Sequence, residues 1–423
     1  MRTSCVIAGG GPAGAMLALL LARAGVDVVL LEKHADFLRD FRGDTIHPST
    51  LQALDELGLA EEFHRLPHRR AERLAFFNGS EYTPVAELSG IPGRYRYIAF
   101  VPQWDFLNLL VAHARRHPSL RVLMEAEACG LIEEDGAVRG LRYRDLSAAG
   151  GGAEHEIRAA LTVGADGRES DVRREAGLRP RDFGAPMDVV WFRITRDPGD
   201  PAEPFLRIVP GGAMVAINRE SYWQLAYLIP KGGFGELRER GVERFRASVA
   251  ELIPFLGERV KEVTSFADTS VLVVRVDRLP LWHRPGLLCI GDAAHAMSPI
   301  GGVGINLAIQ DAIAAGNLLA APLVRAQRAR GGGPVLDPVP DSLLARVQRR
   351  RQIPAAVTQL VQVTVQNRVI RPALAGTRPD ALPLPARLAR APLALRRLIG
   401  LFIGLGVLPE HVNREFTVEE SSQ

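Results

Sequence analysis

The sequence predicts an α/β protein: a mostly parallel sheet flanked by helices, an antiparallel sheet inserted within it, and helices at the C-terminus. Three observations predict it. Residues 5–33 read as strand, helix and strand within about thirty residues. Residues 177–280 string strand candidates together with one helical interruption, a pattern of antiparallel pairing. From residue 341 onward the pattern is helical. The chain has 423 residues, enough for two domains and a large core.

The first unit is CVIAGGGPAGAMLALLLARAGVDVVLLEK, from Cys5 to Lys33. A β-prone run, Val6–Ala8, meets a glycine cluster. An alanine-rich apolar helix follows from about Pro12 to Ala24, and Gly25 stops it. A second apolar run, Val28–Leu31, ends on Glu32. Gly9, Gly11 and Gly14 fit G-x-G-x-x-G. The first allows a tight turn, the second lets backbone approach a pyrophosphate, and the third lets helix and strand pack closely. The helix N-terminus offers free N–H groups to phosphates. Glu32 stands where a carboxylate accepts from ribose hydroxyls. The unit is Rossmann-like, and strand, helix, second strand and acid together favour a dinucleotide over a merely structural turn.

Past Glu32, Arg42 and Gly43 lie in a loop, and Ser49 is a candidate N-cap for a helix through Leu57. Arg42 can hold phosphate or a cofactor's ring edge. His47 precedes that helix. Strand-like pieces, RLAFFN and YRYIAFV, occupy 72–101. PQWDFLNLLVAHARRH then reads as an amphipathic helix with Gln103 at its start. Segments 120–132 and 137–145 read as two strands joined at Asp135-Gly136.

A strand then runs into Gly164-Ala165-Asp166-Gly167, with Ser170 capping the next helix. The consecutive strands of 177–280 are DVVWFRI, PFLRIVP, AMVAIN, YWQLAYLIP and SVLVVRV, interrupted by one helix, 234–252. Their aromatics include Trp191, Phe192, Phe205, Tyr222 and Trp223. Leu287–Ile290 returns to a buried strand ending at Gly291-Asp292. A glycine-rich turn, Pro299–Gly304, opens a helix carrying Ile305, Asn306 and Asp311. A long helix from Asp341 to Arg371, bent at Pro354, and a short apolar helix, 398–408, complete the chain.

Formal net charge is +4, and lysine appears only at Lys33, Lys231 and Lys261. No concentrated basic arm points to nucleic acid, and Arg349–Arg351 reads as a solvated helix face. Cys5, Cys129 and Cys289 lie far apart in apolar segments, without metal spacing. They read as buried free thiols in a reducing, cytoplasmic setting. The sequence enters the nucleotide fold with no room for a signal peptide. No apolar run appears long enough to span a bilayer. Residues 398–408 leave a shallow peripheral membrane contact as the alternative to core packing.

Three glycine–acid turns in this order say more than any one alone. With RGDTIHPSTLQALDELGL at 42–59 and PQWDFLNLL at 102–110, the pieces GGGPAG, GADGRESDVR and GDAAHAMSPIGGVGIN resemble the FAD-dependent aromatic hydroxylases. These are flavoprotein monooxygenases with the para-hydroxybenzoate hydroxylase fold, and the likeness spans roughly residues 1–320. It implies a Rossmann-like FAD-binding domain with an inserted antiparallel-sheet substrate domain and C-terminal helices. The expected boundaries are 1–71, 102–176 and 281–330 for FAD, 72–101 and 177–280 for substrate, and 341–423 for the helical region.

By that resemblance Gly9, Gly11, Pro12, Ala13 and Gly14 hold the FAD pyrophosphate, and Glu32 with Lys33 the adenosine ribose. Arg42 and Gln103 lie along the cofactor. Asp166 supports FAD and the transient NAD(P)H donor. Asp292 takes the ribityl hydroxyls. Pro299, Gly301, Gly302, Gly304, Ile305 and Asn306 pass the flavin ring. His295 is structural.

The implied reaction is hydroxylation of an aromatic or polycyclic phenolic small molecule, with O2 carried as a flavin hydroperoxide that a dry pocket protects. A proton acceptor should assist; the catalytic candidates are His47, Arg193 and Tyr222, with Gln224 beside them. The expected assembly is a monomer or homodimer, with no metal. The alternative is an FAD-dependent reductase acting on an apolar unsaturated substrate. A halogenase reading lacks its tryptophan motif, since Trp223 is followed by Gln224-Leu225-Ala226.

Overall fold

The computed structural model describes residues 1–38, 45–77, 81–147, 149, 151–377 and 392–416. Its N-terminal strand, Arg2–Ala8, is buried from Thr3 onward and lies inside an eight-stranded sheet. Five strands run parallel in the order Leu287–Cys289, Glu154–Gly164, Arg2–Ala8, Val28–Leu31 and Leu120–Leu123. The short strand His283–Arg284 adds an antiparallel edge. Strands Ala126–Glu134 and Ala137–Asp145 form an antiparallel hairpin that pairs with the first half of Glu154–Gly164. Parallel strands need crossover connections, so both sheet faces are covered.

The helix Pro12–Arg23 is apolar on every side and buried from Ala13 to Ala22. It packs against Gln103–Ala114 and the long helix Gly304–Ala329. That long helix corrects one expectation. Together with the turn before it, Ile300–Ala329 is long and apolar enough to cross a membrane, yet 72% of its apolar window is buried in the protein. Here it is a core element.

A second sheet has seven strands, in the order Ser270–Leu272, Met187–Thr195, Tyr222–Pro230, Gly212–Asn218, Phe205–Val209, Arg73–Phe77 and Tyr82–Glu87. All neighbours are antiparallel except Phe205–Val209 with Arg73–Phe77. Side chains alternate between its faces. Val190, Phe192 and Ile194 pack with Phe245, Val249 and Leu252 of the outer helix Val242–Leu252. Met187, Val189 and Trp191 point the other way, in a cluster with Ile300 of the glycine-rich turn. The sheet therefore lays one face toward the nucleotide-type domain.

The helix Leu393–Gly404 runs along the edge strand Tyr82–Glu87. Gly400 permits this: a Cβ there would stand 2.1 Å from the Glu87 carbonyl oxygen.

Other expectations change in detail. Strand 120–132 is two strands, divided where Glu125 adopts a positive φ of 53°. Helix 234–252 is two helices, broken at Gly241 with φ +85°. The helix from Asp341 continues through Pro354 to Val365, then as a π-helix through Ile370. Cys5 and Cys289 are buried thiols, but Cys129 is only half-buried. Arg349 and Arg350 are exposed, whereas Arg351 is buried.

Candidate active site

The sheet register brings the three glycine–acid turns together. Cys289 pairs with Gly164, Gly164 with Ala8, and Ala8 with Leu31, so four strand ends stand side by side. Each turn leaves from one of these C-terminal ends, where open α/β sheets bind ligands. Gly9 has φ +102°, and a Cβ on it would lie 2.4 Å from the Ala165 oxygen. Only glycine lets the first turn cross over the second. Gly291 lies against Ala13, where a Cβ would come within 3.1 Å of the alanine's own. Arg173 ties the second turn to the third: its guanidinium donates to the Arg168 oxygen at 2.6 Å and to the Ala293 oxygen at 3.2 Å.

Two helix N-termini open here without protein partners among the described residues. Pro12–Arg23 has no side-chain cap and no acid in its first turn, and Gly11 faces open space. Gly304–Ala329 likewise has neither, and Gly304 also faces open space. Such ends carry unmet N–H groups and partial positive charge. They fit a pyrophosphate at the first and an electron-rich ring edge at the second.

The acids differ in their engagement. Glu32 is buried; its Oε2 accepts from Gly10 N at 3.1 Å, and its Oε1 from His34 N at 3.0 Å. It therefore stands directly over the first turn. Asp292 is half-exposed and paired with Arg168 at 3.4 Å. Asp166 turns back on its own helix, accepting from Ser170 Oγ at 2.5 Å and Val172 N at 3.1 Å. Burial pushes its carboxyl up, against the opposing pull of those donors. Lys33 is exposed, 3.9 Å from Glu127. Gln103 starts its helix half-buried. Arg42 lies outside the described residues.

The glycine-rich turn is held from one side. Gly302, at φ +64°, leaves no room for a Cβ, which would meet Thr45 Oγ1 at 2.7 Å. Its carbonyl accepts from Thr45 Oγ1 at 2.7 Å and lies 3.0 Å from His47 Nε2. His47 Nδ1 lies 2.8 Å from the Ile403 oxygen of the C-terminal helix. Burial pushes the imidazole below its usual range, against the raising effect of the two carbonyls. A neutral imidazole has one N–H, so it donates to one carbonyl at a time. With both nitrogens facing main chain, His47 has none turned toward a substrate.

Ser49 is not the N-cap. Pro48 takes the first helical position and His47 the cap, while Ser49 Oγ and Thr50 Oγ1 both donate to Asn306 Oδ1, at 2.9 and 2.6 Å. Asn306 is thereby fixed in the first turn of the long helix.

Arg193, Tyr222 and Gln224 share one face of the seven-stranded sheet, the face of Trp191 and Ala226. Arg193 pairs with Gln224 and Thr195 with Tyr222. Arg193 is exposed, Tyr222 half-buried, and Gln224 buried with its oxygen 2.8 Å from Arg219 Nε.

Sequence reasoning missed one buried assembly behind the third turn. Asp311 Oδ2 lies 2.5 Å from His295 Nε2 and accepts from Gly291 N at 3.0 Å; its Oδ1 accepts from Arg351 Nε at 3.0 Å. Arg351 also reaches the Leu408 oxygen at 3.3 Å and lies 3.8 Å from Glu410. Polar residues in an apolar helix were the available signal. No metal-type cluster of His, Cys and acids occurs among the described residues.

Residues 2–330 match the family described as FAD binding domain. The 6-methylpretetramide 4-monooxygenase of Streptomyces rimosus is 36% identical over 333 residues, covering 77% of each chain. The chain belongs to the FAD-dependent aromatic hydroxylases. Solved structures share the fold of this flavoprotein. The p-nitrophenol 4-monooxygenase of Pseudomonas putida superposes with a TM-score of 0.73 at 21% identity, over 95% of this chain and 97% of that one. PqsL, a probable FAD-dependent monooxygenase from Pseudomonas aeruginosa, gives 0.71 at 22%, over 92% and 100%. As a member of this family the protein is an FAD-dependent oxidoreductase, and its uncapped helix ends and crossing turns suit that cofactor.

Proposed function

We propose that the protein uses NAD(P)H and O2 to hydroxylate a polycyclic phenolic small molecule. The side-by-side register of the strand ends at Cys289, Gly164, Ala8 and Leu31 carries the reading, because it lines three turns along one extended ligand path. The name of the 36% identical relative, a 6-methylpretetramide monooxygenase, supports the substrate class. FAD, when bound, supplies the hydride acceptance and the oxygen chemistry.

This chain's residues then bind, orient and exclude water. The Gly9–Gly14 turn and its helix end hold the pyrophosphate, and Glu32 the adenosine ribose. Asp292, which pairs with Arg168, would serve the ribityl chain. The Gly301–Gly304 turn, pinned by Thr45 and His47, passes the ring, and the N-terminus of Gly304–Ala329 favours negative charge at the ring's edge. Asn306, locked by Ser49 and Thr50, stands at the same end. His47 acts as a positioning residue, through Gly302. Arg193 and Tyr222 lie on the substrate face. The seven-stranded sheet belongs to the substrate domain, residues 72–101 and 177–280, and the eight-stranded sheet to the FAD domain. Buried Cys5 and Cys289 suit a reducing cytoplasm.

The test is a screen of polycyclic phenols on yellow protein. A true substrate should accelerate NAD(P)H oxidation, consume an equal amount of O2 and gain one oxygen atom. NAD(P)H consumption that adds hydrogen to an unsaturated substrate, without oxygen uptake, would replace this reading with a reductase.

A further inference from the structure

Trp191 lies midway along Met187–Thr195, opposite Ala226 on one side and Ser270 on the other. It packs where two apolar clusters meet. One holds Val189, Ala226 and Ile300; the other holds Ile217, Leu401 and Ile403. The sheet face, the flavin-side turn and the C-terminal helix therefore converge on this side chain. Its indole Nε1 is buried and has no hydrogen-bond partner among the described residues. Buried donors are nearly always paired, so an orphan calls for an explanation.

Other orphans have a different setting. Tyr82 and Arg207 sit beside Phe77 in or against the outer cluster, on the far side of the sheet. His295 belongs to the buried assembly around Asp311. Trp191, by contrast, lies on the sheet face that packs against Ile300 of the glycine-rich turn. An indole N–H donates and never accepts. Its partner must therefore carry an acceptor, and the apolar surroundings of Val189, Ala226 and Ile300 suit one borne on an apolar body.

We propose that Trp191 is a specificity-determining residue, whose N–H donates to an oxygen of the aromatic substrate, a ring carbonyl or a phenol oxygen. The inference rests on the aromatic-hydroxylase reading above. The substrate binds against the face where Ile300, Leu401 and Ile403 meet Trp191, and the oxygen on Nε1 fixes which ring edge meets the flavin. Acceptor-free hydrocarbons enter the same space but leave the donor unmet.

The test reads binding rather than turnover. FAD-loaded wild type and Trp191→Phe are titrated with 2-naphthol and its near-isostere 2-methylnaphthalene, following the flavin absorbance. In wild type, 2-naphthol should bind about five- to tenfold tighter, the worth of one neutral hydrogen bond. Trp191→Phe should lose that advantage while 2-methylnaphthalene stays within about twofold. Retained FAD and an unchanged melting temperature verify the variant's fold; if it does not fold, wild-type discrimination decides. Wild type that does not prefer 2-naphthol, or a variant that keeps the preference, overturns the role of Trp191 and leaves the reaction standing. Wild type that binds neither probe overturns the role of Trp191, while the screen of polycyclic phenols decides the reaction.

Discussion

Asp311→Asn keeps the shape of the side chain and removes its charge from a site where Asp311 and Arg351 are 0% and 1% exposed. Breaking one partner of a buried ion pair costs about 3–5 kcal/mol, because the remaining charge stays desolvated. Unfolding entropy is about 2.1 cal/mol/K per residue, so for 423 residues the melting temperature should fall by about 3–6 °C. The pH dependence gives the sharper test. Burial raises the Asp311 carboxyl, but His295, Arg351 and the Gly291 N–H overcome this and hold it below the ordinary 3.8. A depressed carboxylate contributes stability that is complete above the unfolded value and disappears as pH falls through the folded one. Melting curves of both proteins from pH 7 down to pH 3 should show a gap that is full at neutrality and narrows below about pH 4. A gap of the same size at every pH would mean that shape, not charge, holds the assembly, and a gap under about 1 °C at pH 7 would refute the ion-pair account.

Gly9→Ala should give a protein that no longer retains FAD, because its Cβ meets Ala165 at 2.4 Å and its φ is +102°; FAD content after gel filtration measures this, and a fully yellow variant would contradict the crossing of the first two turns. His47→Ala should lower stability by about 1–3 kcal/mol, the cost of one buried carbonyl left unmet, and weaken FAD binding, with His47→Gln in between. Denaturant melts and FAD titration report both, and unaltered FAD affinity would remove His47 from the support of the glycine-rich turn.

Much of the fold was legible because its signals are local. The strand–helix–strand unit at 2–31 rests on hydrophobic period and glycine spacing, and the structure places it as read. The same holds for Ser170, whose hydroxyl accepts from Arg173 N at 2.9 Å as an N-cap should. Edge strand Tyr82–Glu87 was missed because Pro84 argues against a strand, although an edge tolerates it. Gly241 breaks 234–252 into two helices because its φ of +85° lies outside the helical region. The two serine and threonine hydroxyls on Asn306 could not be read, since the partners lie 256 and 257 residues apart. Arg351 looked like one of three surface arginines; only the packing of Asp341–Val365 on Gly304–Ala329 turns it inward to Asp311. The sites that sequence placed are those built by a single turn. The sites it could not place are those built by contacts between distant segments.

The measurement closest to the centre is a competitive titration of the apoprotein with FAD, FMN and riboflavin, followed by flavin fluorescence. In the reading proposed above, the first turn and Glu32 hold one end of the cofactor and the Gly301–Gly304 turn the other. One FAD per chain should bind, with FMN and riboflavin at least about 100-fold weaker for want of the adenosine half. FMN binding as tightly as FAD would show that the three turns do not share one extended cofactor.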